Sequence, residues 1–315
     1  MKGFNDFRVV RIMQNGRDVL VDAAVRRIGT LGMQYRDVST RLRHAASAES
    51  RADRTGAERL YGPPPSEYST AQGGIHAAGS ITTSSDQSLR KIVEKCRIYL
   101  FDFDGPICSV FGNLRDHEVA ELLRRSLGLS FPQSIATAND PFVVFRYAAL
   151  FGGPTARKAE RELARLEVEA VRSAPPTAAA HELIRLITDR SGTVAIVSNN
   201  SGDAVHRYLT DHDLGGRVAG NYSRGVLPGT AHYLSRLKPD RFPLERAMAG
   251  LGVGPDECVY VGDSVTDIQA AHAAGMPVVA LADKPGKDEA FAPHSPEVTI
   301  STMEPLLRAA QLWLR

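Results

Sequence analysis

Cysteine is scarce in this chain of 315 residues: Cys96, Cys108 and Cys258 are odd in number and widely spaced. Neither a disulfide framework nor a CxxC metal site is suggested, and buried free thiols are expected. No run of about 18 uncharged apolar residues occurs, so no membrane-spanning helix and no membrane partner is expected. The N-terminus lacks the short apolar core of a secretion signal, and Asp6, Asp18 and Asp22 fit poorly with an organelle transit peptide. A cytoplasmic location is the expectation. The nine histidines show no HExxH or comparable metal spacing, and no internal repeat is found. What is present is ordinary for a globular protein, with 43% hydrophobic and 23% charged residues. The length accommodates a core domain, a smaller accessory domain and some weakly ordered sequence.

The net charge of +2 conceals an asymmetry, because residues 1–60 hold twelve Lys/Arg against seven Asp/Glu, leaving −3 for the remainder. The remainder offers no electrostatic reason to expect nucleic acid as a partner, and the basic extension is the only feature pointing there. Within that extension, Val19, Ala23, Ile28 and Leu31 fall near helical spacing, which predicts a helix within 16–47. Residues 61–90 turn to Gly, Pro, Ser and Thr (GPPPSEYSTAQGG, then AAGSITTSSDQS). Such a composition buries too little apolar surface to offset ordering entropy, so this stretch is expected to be a flexible linker.

From Lys91 onward, short Val- and Ile-rich runs alternate with helical stretches. This pattern predicts an α/β fold with a doubly wound parallel sheet covered on both faces. The strand candidates are 97–103, 193–198, 258–261, 277–281 and 297–300. Helices are predicted at 201–212, 243–251, 266–274 and 303–314. Residues 108–188 read as helices alone (HEVAELLRRSLGL, PFVVFRYAALF, ARKAERELARLEVEAVRS), with apolar residues three and four apart. They are expected to form a cap domain inserted into a core made of 91–107 and 189–315.

Open parallel sheets bind ligands where strands end and loops diverge, and the polar residues gather there. The first strand ends IYLFDFDGPI, with Asp102 and Asp104 two apart and therefore on one side of an extended chain. Gly105 follows and permits a close backbone approach. The third large strand ends VYVGDSVTDIQAAHAAG, with Asp263 at the strand end and Asp267 in the first helical turn. Capping alone accounts for an acid at a helix start, and a lone DxD is equally compatible with a solvated strand end. Four carboxylates at one sheet edge repel one another and call for a cation. An oxygen-only ligand set favours magnesium. The second strand ends AIVSNNS, presenting Ser198 and the backbone N–H of Asn199 as donors suited to a phosphoryl oxygen, although a serine there also suits a turn. Lys238 precedes Pro239, which biases it off any helix, either to neutralise anionic oxygens or as an exposed charge.

DxDG, a strand-end Ser, Lys-Pro and GDSxxD in that order resemble the haloacid dehalogenase (HAD) superfamily, over about Lys91 to Arg315. The helical insertion resembles its helical-cap (C1) subgroup, which contains phosphoglycolate phosphatases and β-phosphoglucomutases. The resemblance implies a Rossmann-like core and a magnesium-dependent phosphatase acting on a small phosphorylated metabolite. By it Asp102 is the nucleophile and Asp104 the general acid/base. Ser198, Asn199 and Lys238 bind the phosphoryl group. Asp102, the Asp104 backbone carbonyl and Asp263 hold Mg2+, with Asp267 supporting them or acting through a water. A sugar phosphomutase and a non-catalytic regulatory protein are the alternatives. True dehalogenases lack an acid two residues after the nucleophile, so Asp104 favours phosphoryl chemistry. The chain departs from the pattern at Pro106 and Cys108-Ser109, at the entry to the cap. Arg115, Arg146, Arg157 and Lys158 are candidate contacts for an anionic substrate, with solvated helix charge as the ordinary reading.

Overall fold

The computed structural model describes residues 10–14, 17–21, 84–151, 153–225 and 236–314. The chain divides into two compact units, Met1–Ala78 and Gly79–Arg315. In the first unit, β1 (Val10–Gln14) pairs antiparallel with β2 (Arg17–Val21). The helix expected from residue 16 therefore does not begin there. The apolar runs on either side of the sequence Asn15-Gly16, the strongest short hairpin signal, outweigh the loose helical spacing. The rest of that helix, and residues 61–83 of the expected linker, lie outside the described residues.

The second unit opens with α1 (Ser84–Lys95), so the linker expected to reach residue 90 gives way to helix from Ser84. Leu89, Ile92 and Val93 fall on one face and are buried, which offsets the polar composition preceding them. The chain then passes through β3 (Ile98–Phe101), α2 (Asp116–Leu127), α3 (Gln133–Ala136), α4 (Pro141–Ala149), α5 (Gly153–Val171) and α6 (Ala180–Asp189). It continues with β4 (Thr193–Ile196), α7 (Gly202–Asp211), β5 (Val218–Asn221), α8 (Phe242–Leu251) and β6 (Cys258–Gly262). It closes with α9 (Val265–Ala273), β7 (Val278–Leu281), α10 (Lys287–Phe291), β8 (Val298–Ile300) and α11 (Glu304–Trp313).

Six strands form one parallel sheet in the order β5-β4-β3-β6-β7-β8. Side chains alternate along each strand and divide the core in two. Tyr99, Phe101, Val259, Val261, Val279 and Leu281 face the layer containing α1, α6, α7 and α11. Leu100, Ala195, Tyr260, Val278 and Ala280 face α8 and α9. The sheet is thus doubly wound, and its strand order turns outward in both directions from β3. That reversal opens a crevice at the carboxyl end of β3, where ligands bind in such sheets.

Helices α2 to α5 form the insert, packing on one another through Val119, Leu123, Val144, Phe145 and Leu163. Helix α6 packs instead against β4 and α11, on the flank of the sheet. Entry and return of the insert are stitched together: Ser109 N–H donates to the Pro175 carbonyl (3.0 Å) and Thr177 N–H to the Ile107 carbonyl (3.0 Å). Pro106, which has no N–H to donate, sits buried in that turn. No described helix is long and apolar enough to cross a membrane.

Candidate active site

β3 delivers Asp102 directly beyond its last paired residue, with Asp102 N–H bonded to the Val261 carbonyl of β6 at 2.8 Å. β6 runs beside it in register and delivers Asp263. One carboxylate oxygen each from Asp102, Asp263 and Asp267 lie within 4.8 Å of one another. Asp104 stands two residues on, where its Oδ1 accepts the Val110 N–H (2.8 Å). Gly105 has φ +96°, and a Cβ there would come within 2.4 Å of the Asp263 carboxyl carbon. Only glycine fits both the left-handed conformation and that contact.

Lys238, whose peptide bond to Pro239 is cis, enters the same site. It is 2% exposed, with Nζ 2.9 Å from Asp102 Oδ1, 2.5 Å from Asp267 Oδ1 and 2.7 Å from the Tyr260 hydroxyl. Asp267 is saturated. Its Oδ2 accepts from Asp263 N–H (3.1 Å), Ser264 N–H (3.0 Å) and Ser264 Oγ (2.6 Å), while the Ser264 hydroxyl accepts the Asp267 N–H in return. This is a capping box at the start of α9, the role its sequence position suggested. The same side chain also anchors Lys238.

Ser198 leaves β4 buried, its Oγ donating to Asn200 Oδ1 at 3.1 Å. Asn199 brackets Lys238 through its side chain: Oδ1 accepts the Lys238 N–H (2.9 Å) and Nδ2 donates to the Lys238 carbonyl (3.2 Å). Sequence reasoning had considered only the backbone of Asn199.

Burial pushes the Asp102 carboxyl up to about 7 against the pull of Lys238, with Asp267 and Asp263 adding repulsion. Burial, then Asp263, pushes Asp104 to about 7 as well. Asp263 is raised by burial and by Asp267, against Lys287. Asp267 goes the other way: burial opposes its charge, yet Lys238 and the converging donors hold it below the usual carboxylate range. Lys238, despite burial, is held above its ordinary value by Asp102 and Asp267. The crowded, raised carboxyls form an oxygen-only donor set that accommodates a hard divalent cation. With Asp267 committed elsewhere, Asp102 and Asp263 are the side chains available to such an ion.

The family profile described as Haloacid dehalogenase-like hydrolase matches residues 156–281. Phosphoglycolate phosphatase of Xylella fastidiosa (strain 9a5c) is 59% identical over 49 residues, which is 15% of this chain and 21% of that protein. The chain thus spans about a fifth of that relative's length. Phosphoglycolate phosphatase of Pseudomonas putida is 27% identical over 224 residues, 67% of this chain and 78% of that protein. Among solved structures, a predicted phosphatase from Clostridium acetobutylicum superposes with a TM-score of 0.55 at 12% identity, covering 69% of this chain and 99% of that one. CbbY from Rhodobacter sphaeroides, solved with phosphate, gives 0.51 at 16% identity, covering 69% and 99%. Over residues 156–281 the sequence is similar to haloacid dehalogenase-like hydrolases, and the fold is shared with these solved structures.

Around this cluster of acids lie residues that sequence reasoning missed. The Tyr260 hydroxyl donates to the Val197 carbonyl (2.9 Å) and meets Lys238 and Asp267. An apolar strand pattern gives no sign of such a role. Lys287 Nζ reaches Asp263 Oδ2 and Asp283 Oδ1, each at 2.6 Å. Arg224 and Glu167, both buried, lie behind the loop that follows β4. Arg115, Arg146, Arg157 and Lys158 are all exposed on the insert, as ordinary helix charges are.

Proposed function

We propose that the protein is a magnesium-dependent phosphatase that hydrolyses a small organic phosphate monoester through a phospho-aspartate on Asp102. The observation that carries this reading is Lys238 Nζ 2.9 Å from Asp102, beside oxygens of Asp102, Asp263 and Asp267 gathered within 4.8 Å. Those side chains come from three distant parts of the chain, and no requirement of folding calls for so many acids at one strand end. The likeness to phosphoglycolate phosphatases makes a small anionic phosphomonoester the first substrate class to assay.

Asp102, Asp263 and the Asp104 backbone carbonyl would hold Mg2+, which when bound supplies positive charge against the phosphoryl oxygens. Lys238 adds a fixed ammonium and orients Asp102 by its hydrogen bond. Ser198 Oγ and the Asn199 N–H bind the remaining phosphoryl oxygens. Asp102 Oδ then attacks phosphorus, the P–O bond to the leaving alcohol breaks, and Asp104 gives that oxygen its proton. Its raised pKa of about 7 keeps that proton available near neutrality. In the second half, water attacks phosphorus and yields its proton to Asp104. The phosphorus–Asp102 bond breaks, releasing inorganic phosphate and restoring both carboxyls. Asp267 takes no part in bond making; it keeps Lys238 charged and in place.

The test is phosphate release from a generic aryl phosphate with Mg2+ by the wild type and by Asp102→Asn. Loss of the nucleophile is expected to reduce kcat by roughly a thousandfold or more. Equal rates from the two proteins would overturn the assignment.

A further inference from the structure

Resting on the phosphatase reading, we infer that the buried Glu167–Arg224 ion pair is a positioning device that ties the helical cap to the phosphoryl-binding loop. Through it, the seating of the cap sets Ser198 and Lys238. Glu167 belongs to α5 of the insert, and Arg224 follows β5 of the core. Both side chains are fully buried, with Glu167 Oε2 2.5 Å from Arg224 Nη2. From this pair two arms reach the site.

The first arm starts at the carboxylate. Glu167 Oε2 accepts the Ser201 N–H (2.9 Å) and Oε1 accepts Asn200 Nδ2 (3.4 Å). Asn200 Oδ1 in turn accepts the Ser198 hydroxyl, and Asn200 N–H donates back to Ser198 Oγ at 3.2 Å. The second arm starts at the guanidinium. Arg224 Nε donates to the Asn199 carbonyl (2.8 Å), and the Asn199 side chain grips both backbone polar atoms of Lys238. The backbone of Arg224 closes the loop from behind, its N–H donating to the Asn200 carbonyl (2.9 Å) and its carbonyl accepting the Gly202 N–H (2.7 Å). The guanidinium also lies 4.9 Å from the Phe145 ring centre and 5.9 Å from that of Phe142, on cap helix α4.

A buried ion pair is an expensive way to join two surfaces, because well-packed apolar residues generally do so at lower desolvation cost. What the pair supplies instead is direction. Its donors and acceptors fit the loop only when α5 sits at one height above α7. A cap displaced by even a few ångströms leaves the Ser201 N–H and Asn200 Nδ2 without their Glu167 partner and frees the Arg224 guanidinium from the carboxylate that aims it at the Asn199 carbonyl, and those groups hold the residues on either side of the phosphoryl site. Glu160 offers a built-in contrast. It pairs with Arg224 Nη1 at 2.5 Å, also from α5, so its charge meets the guanidinium and not the loop.

The experiment measures orthophosphate binding by calorimetry in magnesium buffer, together with kcat and KM on an aryl phosphate, for the wild type, Glu167→Gln, Asn200→Ala and Glu160→Gln. Glu167→Gln keeps the shape of the side chain but removes its charge. Asn200→Ala leaves the ion pair whole and cuts the arm to Ser198. Both are expected to weaken orthophosphate binding and raise KM roughly tenfold or more, while Glu160→Gln shifts the two constants less than about twofold. A purely structural pair would lower melting temperature in the glutamate variants and leave both constants of the folded protein at wild-type values. That result, with Asn200→Ala also binding as the wild type, would overturn the coupling while leaving the phosphatase reading in place. A wild type that neither binds orthophosphate nor turns over would remove both.

Discussion

Replacing Asp267 by Asn removes one charge and one acceptor from a fully buried position with five donors around it. The amide nitrogen has nowhere neutral to point. Turned towards Oδ1's place it faces the Lys238 ammonium, and turned towards Oδ2's place it faces the Asp263 and Ser264 N–H groups. Lys238 keeps the Tyr260 hydroxyl but is left with Asp102 as its one carboxylate, itself pushed up to about 7 and hence a weaker partner. Breaking a buried pair by removing one member costs about 3–5 kcal/mol, a large part of a typical stability of about 5–15 kcal/mol. For a unit of this size that corresponds to a fall in Tm of roughly 6–20 °C. The sign with pH follows from Asp267 lying below the usual range when folded and near its ordinary value of about 3.9 when unfolded. Its stabilisation is complete above the unfolded value and is lost as pH falls through the folded one. The gap between wild type and D267N, measured by urea denaturation with Mg2+ present, is thus expected to be full at pH 7 and to narrow towards pH 3. Equal denaturation midpoints at pH 7, or a gap that widens on acidification, would refute the idea that Asp267 is the charged anchor of Lys238.

The metal-free protein should show the opposite trend at higher pH. Asp102 and Asp104 both stand near 7 when folded, above their unfolded values, so their contribution is greatest in acid and is lost as pH rises through 7. In a chelator the Tm is expected to fall from pH 5 to pH 7.5, and excess Mg2+ should largely remove that fall; a flat profile without metal would contradict the burial argument. Gly105→Ala forces a Cβ to 2.4 Å from the Asp263 carboxyl carbon at φ +96°. It is expected to cost about 1–3 kcal/mol from backbone strain alone and to weaken Mg2+ binding by calorimetry by roughly tenfold or more; wild-type affinity would show that Asp263 need not be held by that glycine.

The chemistry-bearing positions were legible in the sequence because each sits where a strand runs out. A run such as IYLF announces its own end, and whatever follows in a parallel sheet faces the crevice. Asp102, Asp104, Ser198 and Asp263 needed only that local signal, and most strands and helices of the core followed from Val- and Ile-rich runs and from apolar spacings of three and four, whereas β5 and α10, short and weakly patterned, were not among the expected elements. The N-terminal hairpin was obscured because a few apolar residues at loose helical spacing compete poorly with two short β-rich runs about Asn15-Gly16, and α1 because its apolar face lies inside a polar stretch.

Tertiary structure alone decided how the four acids divide their work. In sequence Asp263 and Asp267 are two carboxylates four apart. Only the arrival of Lys238 from a distant loop, beside the Tyr260 hydroxyl of β6, commits Asp267 to an internal ion pair, while Asp263 is met by Lys287 instead. The same holds for Glu167 and Arg224, 57 positions apart and each unremarkable on its own segment. Local pattern specifies which side chains reach a sheet edge, because strand and helix periods are short-range properties of the backbone. Which charge neutralises which depends on distances between elements, and these exist only once the sheet has closed.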